Sequence, residues 1–119
     1  MPYPQLNRRR VVMQPLGARL NRKQVECDLV YPESRPRPFS AAQRARVRET
    51  INRIRAARRK GKPVILAFGA HTIKNGLGPV LIQLIQDGWV THLATNGAGV
   101  IHDWEFAFQG GTSEDVRRN

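Results

Sequence analysis

Two short clusters in this 119-residue chain carry residue types suited to chemistry: Gly69-Ala70-His71 and Asn96-Gly97-Ala98-Gly99. Each follows an apolar run, VILAF at 64–68 and WVTHLAT at 89–95. Glycines in such turns expose backbone amides with no Cβ in the way, so the amides can approach the oxygens of a diphosphate. Gly97 and Gly99 fit the first two positions of a GxGxxG fingerprint, and His102 stands at the third. A tight turn that holds no ligand would select the same glycines. The earlier turn runs GAHTIKNG from Gly69 to Gly76 and lacks the GK[ST] ending of a phosphate-gripping Walker loop, which disfavours ATP hydrolysis. Asp103 and Glu105 follow the second turn. An acid there can bind ribose hydroxyls, and a solvated helix start would favour acids equally.

His71 and His102 are candidates to face each other across neighbouring strand ends. No closely spaced pair such as HxxxH accompanies them, so hydrogen bonding is the preferred role and no metal site is expected. Cys27 is the only cysteine, which excludes an internal disulfide and a zinc site of several thiolates. A single free thiol suits a reducing, cytoplasmic setting.

These turns need elements to hold them. The run at 64–68 reads as a strand covered on both faces. Gly78-Pro79 opens a helix with proline at its favoured first position, and Asp87-Gly88 closes it. The run at 89–95 reads as a second strand. With a helix between them the strands form a βαβ unit, right-handed by the general rule. Residues 101–108 read as a helix or an extended segment, with nothing in their apolar positions to decide. Thr112-Ser113-Glu114-Asp115 reads as a helix start after a Gly110-Gly111 hinge. The predicted class is α/β: a Rossmann-like parallel sheet, incomplete as it stands, at 40–119, preceded by an irregular basic arm at 1–39. Two parallel strands leave faces and edges uncovered, so the chain reads as the N-terminal part of a longer protein or as a domain completed by oligomerisation.

The arm holds six of the eight prolines, which disfavours long elements; one short strand is predicted at 24–31. Ser40 with Gln43 forms a capping box for a helix that runs to Gly61, with Val47, Ile51 and Ile54 on one apolar stripe. Charge is divided unevenly. Residues 1–62 carry 17 Lys and Arg against 4 Asp and Glu, while residues 63–119 carry 3 against 5. The helix at 40–60 alone holds seven arginines. They supply the electrostatics of nucleic-acid binding but no aromatic for stacking, so a solvated face or a subunit interface is the preferred reading and RNA or an acidic protein the alternative. No apolar run is long enough to span a membrane, and the stretch MPYPQLNRRRVVMQPLG has arginines but no apolar segment long enough to read as a secretory signal.

Taken in order, the motifs from Gly69 to Asp115 resemble deoxyhypusine synthase and its bacterial relatives. Lys74-Asn75-Gly76 through Ile85 matches that family's helix entry, Trp89-Val90 through Thr95 its strand, Thr95-Asn96-Gly97-Ala98-Gly99-Val100 its glycine turn, and Asp103 the second acid of its pair. The phrase TNGAGVIHDWE followed by TSEDV is similar to a bacterial subgroup. The resemblance implies a Rossmann-like fold, NAD as cofactor, and a homotetramer. It implies oxidation of a polyamine and transfer of its aminobutyl group through an enzyme–imine intermediate. By position, Gly69, Ala70, His71, Thr95, Asn96, Gly97, Ala98, Gly99 and Asp103 would touch the cofactor, and His102 and Glu105 the amine. Gly69-Ala70-His71 replaces the family's Thr-Ser-Asn, His102 replaces its first acid, and no residue here stands for its Schiff-base lysine, Lys74 being misplaced for that role.

Overall fold

The computed structural model describes residues 3–119, so the first two positions of the expected arm lie outside the described residues. The chain is mixed α/β, with five helices and two two-stranded sheets among the described residues. In chain order the elements are β1 (Asn21–Gln24), α1 (Val25–Asp28), α2 (Ala41–Arg59), β2 (Ile65–Phe68), α3 (Ala70–Lys74), α4 (Gly78–Gln86), β3 (His92–Thr95), α5 (Gly97–Gln109) and β4 (Gly111–Glu114).

Strands β2 and β3 pair in parallel, Ile65 opposite His92 through Phe68 opposite Thr95. This is the sheet pair expected at 64–68 and 89–95, each strand starting later than the apolar run does. The crossover contains two helices rather than one. Gly76, at φ +80°, breaks the path between α3 and α4, and a Cβ there would lie 2.9 Å from the Leu29 Cα. Only glycine allows both the left-handed turn and the close approach.

The two-sided cover expected for the first strand is absent. Leu66 and Phe68 pack against Ile73, Leu81 and Phe106, while Ile65, on the opposite face, is 65% exposed. Side chains alternate across a strand, so helices lying on one side bury only every second residue.

Two other expectations change. No strand forms over 25–31, where one was predicted from Gln24 onward: β1 lies earlier and ends at Gln24, and the chain then coils into α1. Asp28 drives the coil: its carboxylate accepts from the Gln24 amide at 2.9 Å and from Lys23 Nζ at 2.7 Å. The helix start predicted at Thr112 is instead strand β4, antiparallel to β1 with Lys23 opposite Thr112. Gly110, at φ +70°, ends α5 and reverses the chain. The Thr112 hydroxyl is then engaged elsewhere and cannot cap a helix. The middle of the arm, residues 19–30, is therefore packed on its own chain, while the described residues on either side of it are exposed. Val25 joins the core, and the Val30 amide donates to the Gly76 carbonyl at 2.9 Å.

The core is small. Ile73, Leu81, Val90 and Phe106 are its buried apolar residues among those described. Helix α2 adds none, although its capping box forms as expected, with Ser40 and Gln43 bonding reciprocally at 2.8 and 3.2 Å. The radius of gyration is 19.3 Å. A closely packed chain of this length would have about 13.5 Å. No helix among the described residues is long and apolar enough to cross a membrane.

Candidate functional site at the edge of the parallel strands

The Phe68–Thr95 register places the next residues, Gly69 and Asn96, side by side at the carboxyl edge of the parallel pair. Their backbones are nearly identical: φ −92° and ψ 171° at Gly69, φ −92° and ψ 170° at Asn96. Each turns a strand into a helix. Asn96 caps α5 through its side-chain oxygen, which accepts from the Gly99 amide at 3.0 Å. That settles residues 101–108 as helix, since a side-chain cap at one end and a left-handed glycine at the other stabilise the helix between them.

The glycines of the second turn differ in the reason for their presence. Gly99 is buried against Thr95. A Cβ on it would overlap Thr95 Oγ1 and lie 3.2 Å from Cγ2. Packing alone therefore accounts for Gly99. Gly97 and Gly69 have nothing within 4 Å of a built Cβ, and neither has positive φ. No packing or backbone constraint within the chain accounts for these two. The amides of Gly97 and Ala98 belong to the first turn of α5, where no intrahelical carbonyl reaches them.

Below this edge lies a cavity of about 250 Å³. Its walls are apolar, with Phe68, Leu81, Leu93 and Val100 among them, and Thr95 and Asp103 stand on its lining. Asp103 is the one charged residue along it. The structure thus brings Thr95, Gly99 and Asp103 to one cavity beside Gly69 and Asn96. Ala70 is half-buried, while His71 and Ala98 are exposed.

His102 and Glu105 are placed elsewhere. They face β4 and do not line the cavity. Thr112, fully buried, donates its hydroxyl to Glu105 Oε2, and His102 Nδ1 lies 2.6 Å from the same hydroxyl. A hydroxyl has one proton, and an ionised carboxylate can only accept, so His102 Nδ1 is the donor to Thr112. Arg19 Nη2 stands 2.8 Å from Glu105 Oε1. Burial works to raise the Glu105 pKa, but the Thr112 hydroxyl, the Arg19 guanidinium and the neighbouring His102 outweigh it and hold it below the usual carboxylate value. Arg19 and Thr112 are partners that sequence reasoning missed. Arg19 lies 86 positions from Glu105 and belongs to no motif. Thr112 was legible only as a cap. No group of three or more His, Cys, Asp or Glu among the described residues is placed to hold an ion.

The charge-rich helix has its own contacts. Arg55 and Arg58 each lie 5.5 Å from the Trp89 ring centre, and Arg58 Nη2 donates to the Asp87 carbonyl at 3.1 Å. These bonds tie the end of α2 to the turn after α4.

Comparison with family models, with curated proteins and with solved structures returns no match.

Proposed function

We propose that this chain provides the dinucleotide-binding edge of a Rossmann-like, NAD-dependent enzyme that transfers an aminoalkyl group from a polyamine or related amine, as the resemblance to deoxyhypusine synthase implies. The observation that carries this reading is the pair of open glycines. Gly69 and Gly97 stand where parallel strands end, with nothing within 4 Å of a built Cβ and no positive φ that would demand glycine. A pyrophosphate resting against the Gly97 and Ala98 amides would give a reason for glycine, because a Cβ would hold it off. The 250 Å³ cavity suits one planar ring rather than a whole dinucleotide, since sites for complete drug-sized ligands start at roughly 300 Å³. Asp103, on its lining, is the group to bind a ribose. NAD supplies hydride acceptance when bound. The amine role expected for His102 and Glu105 is not part of this reading, because both side chains are committed to Thr112.

The test is a thermal-unfolding titration with NAD. A ligand of the folded state raises its stability in proportion to the logarithm of saturation. The melting temperature is expected to rise with NAD in the wild type. In Gly97→Ala the unliganded protein should melt as the wild type does and the NAD shift should be lost. No wild-type shift at about millimolar NAD, or an undiminished shift in Gly97→Ala, would overturn the proposal.

A further inference from the structure

Helix α2 is largely exposed, and its cations are largely unspent. It runs 19 residues and buries no side chain. All seven of its arginines are exposed. Arg53 is neutralised by Glu49 at 2.5 Å, and Arg58 is folded onto Trp89 and the Asp87 carbonyl. Arg44, Arg46, Arg48, Arg55 and Arg59 face no carboxylate among the described residues; Arg44 reaches only the Phe39 carbonyl, at 2.7 Å, and Arg55 the Trp89 ring.

Their placement is ordered. At 3.6 residues per turn, Arg44, Arg48, Arg55 and Arg59 fall within about 60° of one another, over about 22 Å of helix. Arg46 lies on the far flank. The half-buried Ile51, Ile54 and Ala57 mark the side turned to the body. Like charges four residues apart repel, so the helix is less stable alone than its capping box suggests, and a polyanion would relieve that repulsion.

We infer that α2 docks in the major groove of duplex DNA, with its free arginines on the phosphates of the groove walls. An α-helix is about 10–12 Å wide and the B-form groove about 12 Å, whereas the A-form RNA groove is too narrow to admit it. Single strands are held by stacking on aromatic rings, and α2 has none; Trp89, beside it, is covered by Arg55 and Arg58. The inference rests on α2 alone, so it stands or falls separately from the cofactor reading.

The experiment is fluorescence anisotropy of a labelled duplex of about 20 base pairs over a salt series, with the full chain. Five phosphate contacts give a slope of log affinity against log salt of about −4.5, so binding should weaken about 500-fold between about 50 and 200 mM salt. The variant Arg44→Ala, Arg48→Ala, Arg59→Ala should keep its helical circular dichroism and lose about 2.7 from that slope. Alanine at Arg8, Arg9 and Arg10 together should cost less, and an equal or larger loss there would overturn the inference. So would tighter binding of an RNA duplex or single strand, equal competition by polyglutamate, a dimer built on these arginines, or no binding at about 50 mM salt.

Discussion

The contrast between Gly97 and Gly99 can be measured directly. Replacing glycine by alanine inside a helix gains about 1 kcal/mol from the backbone alone. At position 99 the new Cβ would overlap Thr95 Oγ1, with Thr95 Cγ2 at 3.2 Å and Thr95 Cβ at 3.3 Å. Thr95 is β-branched, so turning it brings another heavy atom into the same space. Overpacking of this kind costs about 1–3 kcal/mol. Gly99→Ala should therefore be destabilising by about 1 kcal/mol net, which lowers the melting temperature of a chain this size by about 4 °C. Gly97→Ala meets nothing within 4 Å and should melt at or slightly above the wild type. The double variant Thr95→Ala, Gly99→Ala removes the overlap and should be more stable than the sum of the singles, with a coupling of about 1 kcal/mol. The assay is thermal or urea unfolding followed by circular dichroism. If Gly99→Ala is neutral while Gly97→Ala destabilises, or if the cycle shows no coupling, the reading of why each glycine is present is wrong.

Two further outcomes are expected. Because Glu105 is held below its ordinary pKa in the folded state, it contributes stability above the usual carboxylate range that is lost as pH falls through its folded value. Melting temperature should drop from about pH 6 to about pH 3. Glu105→Gln should cost about 2 kcal/mol near neutrality by leaving Arg19 without its partner, and flatten that part of the pH profile. Asp28 and Asp115, each held low by its cation, should keep their share of the acid dependence in that variant. Ser40→Ala removes the side-chain cap of α2 and should cost about 1 kcal/mol within that helix. Since α2 buries no side chain, global melting should barely move, while hydrogen exchange in its first turns speeds about fivefold. A matching fall in the global transition would show that α2 is coupled to the core after all.

The elements whose signals are local were legible in the sequence. Ser40 and Gln43 marked the start of α2, Gly78-Pro79 the start of α4, and the two apolar runs the parallel strands. The elements whose form depends on distant chain were not. Thr112-Ser113-Glu114 carries the chemistry of a helix cap, yet β1 offers its backbone a partner about ninety residues earlier in sequence, and the hydrogen bonds of that pairing decide its form. Asp28 bends the chain out of an extended path by bonding back to Gln24. His102 and Glu105 stand close to Asp103 in sequence, but about 100° per residue separates their directions on α5. Only Asp103 turns to the cavity.

The sequence by itself determined the two parallel strands, the start of α4, the capping of α2, and the concentration of positive charge before residue 63, because these depend on neighbours a few residues apart. The tertiary structure alone decided which glycines are packed and which are open, which acid reaches the cavity, and which arginines remain without a partner. Those outcomes depend on atoms brought together from far along the chain, and hydrophobic burial and backbone pairing choose the neighbours before any side chain acquires a role.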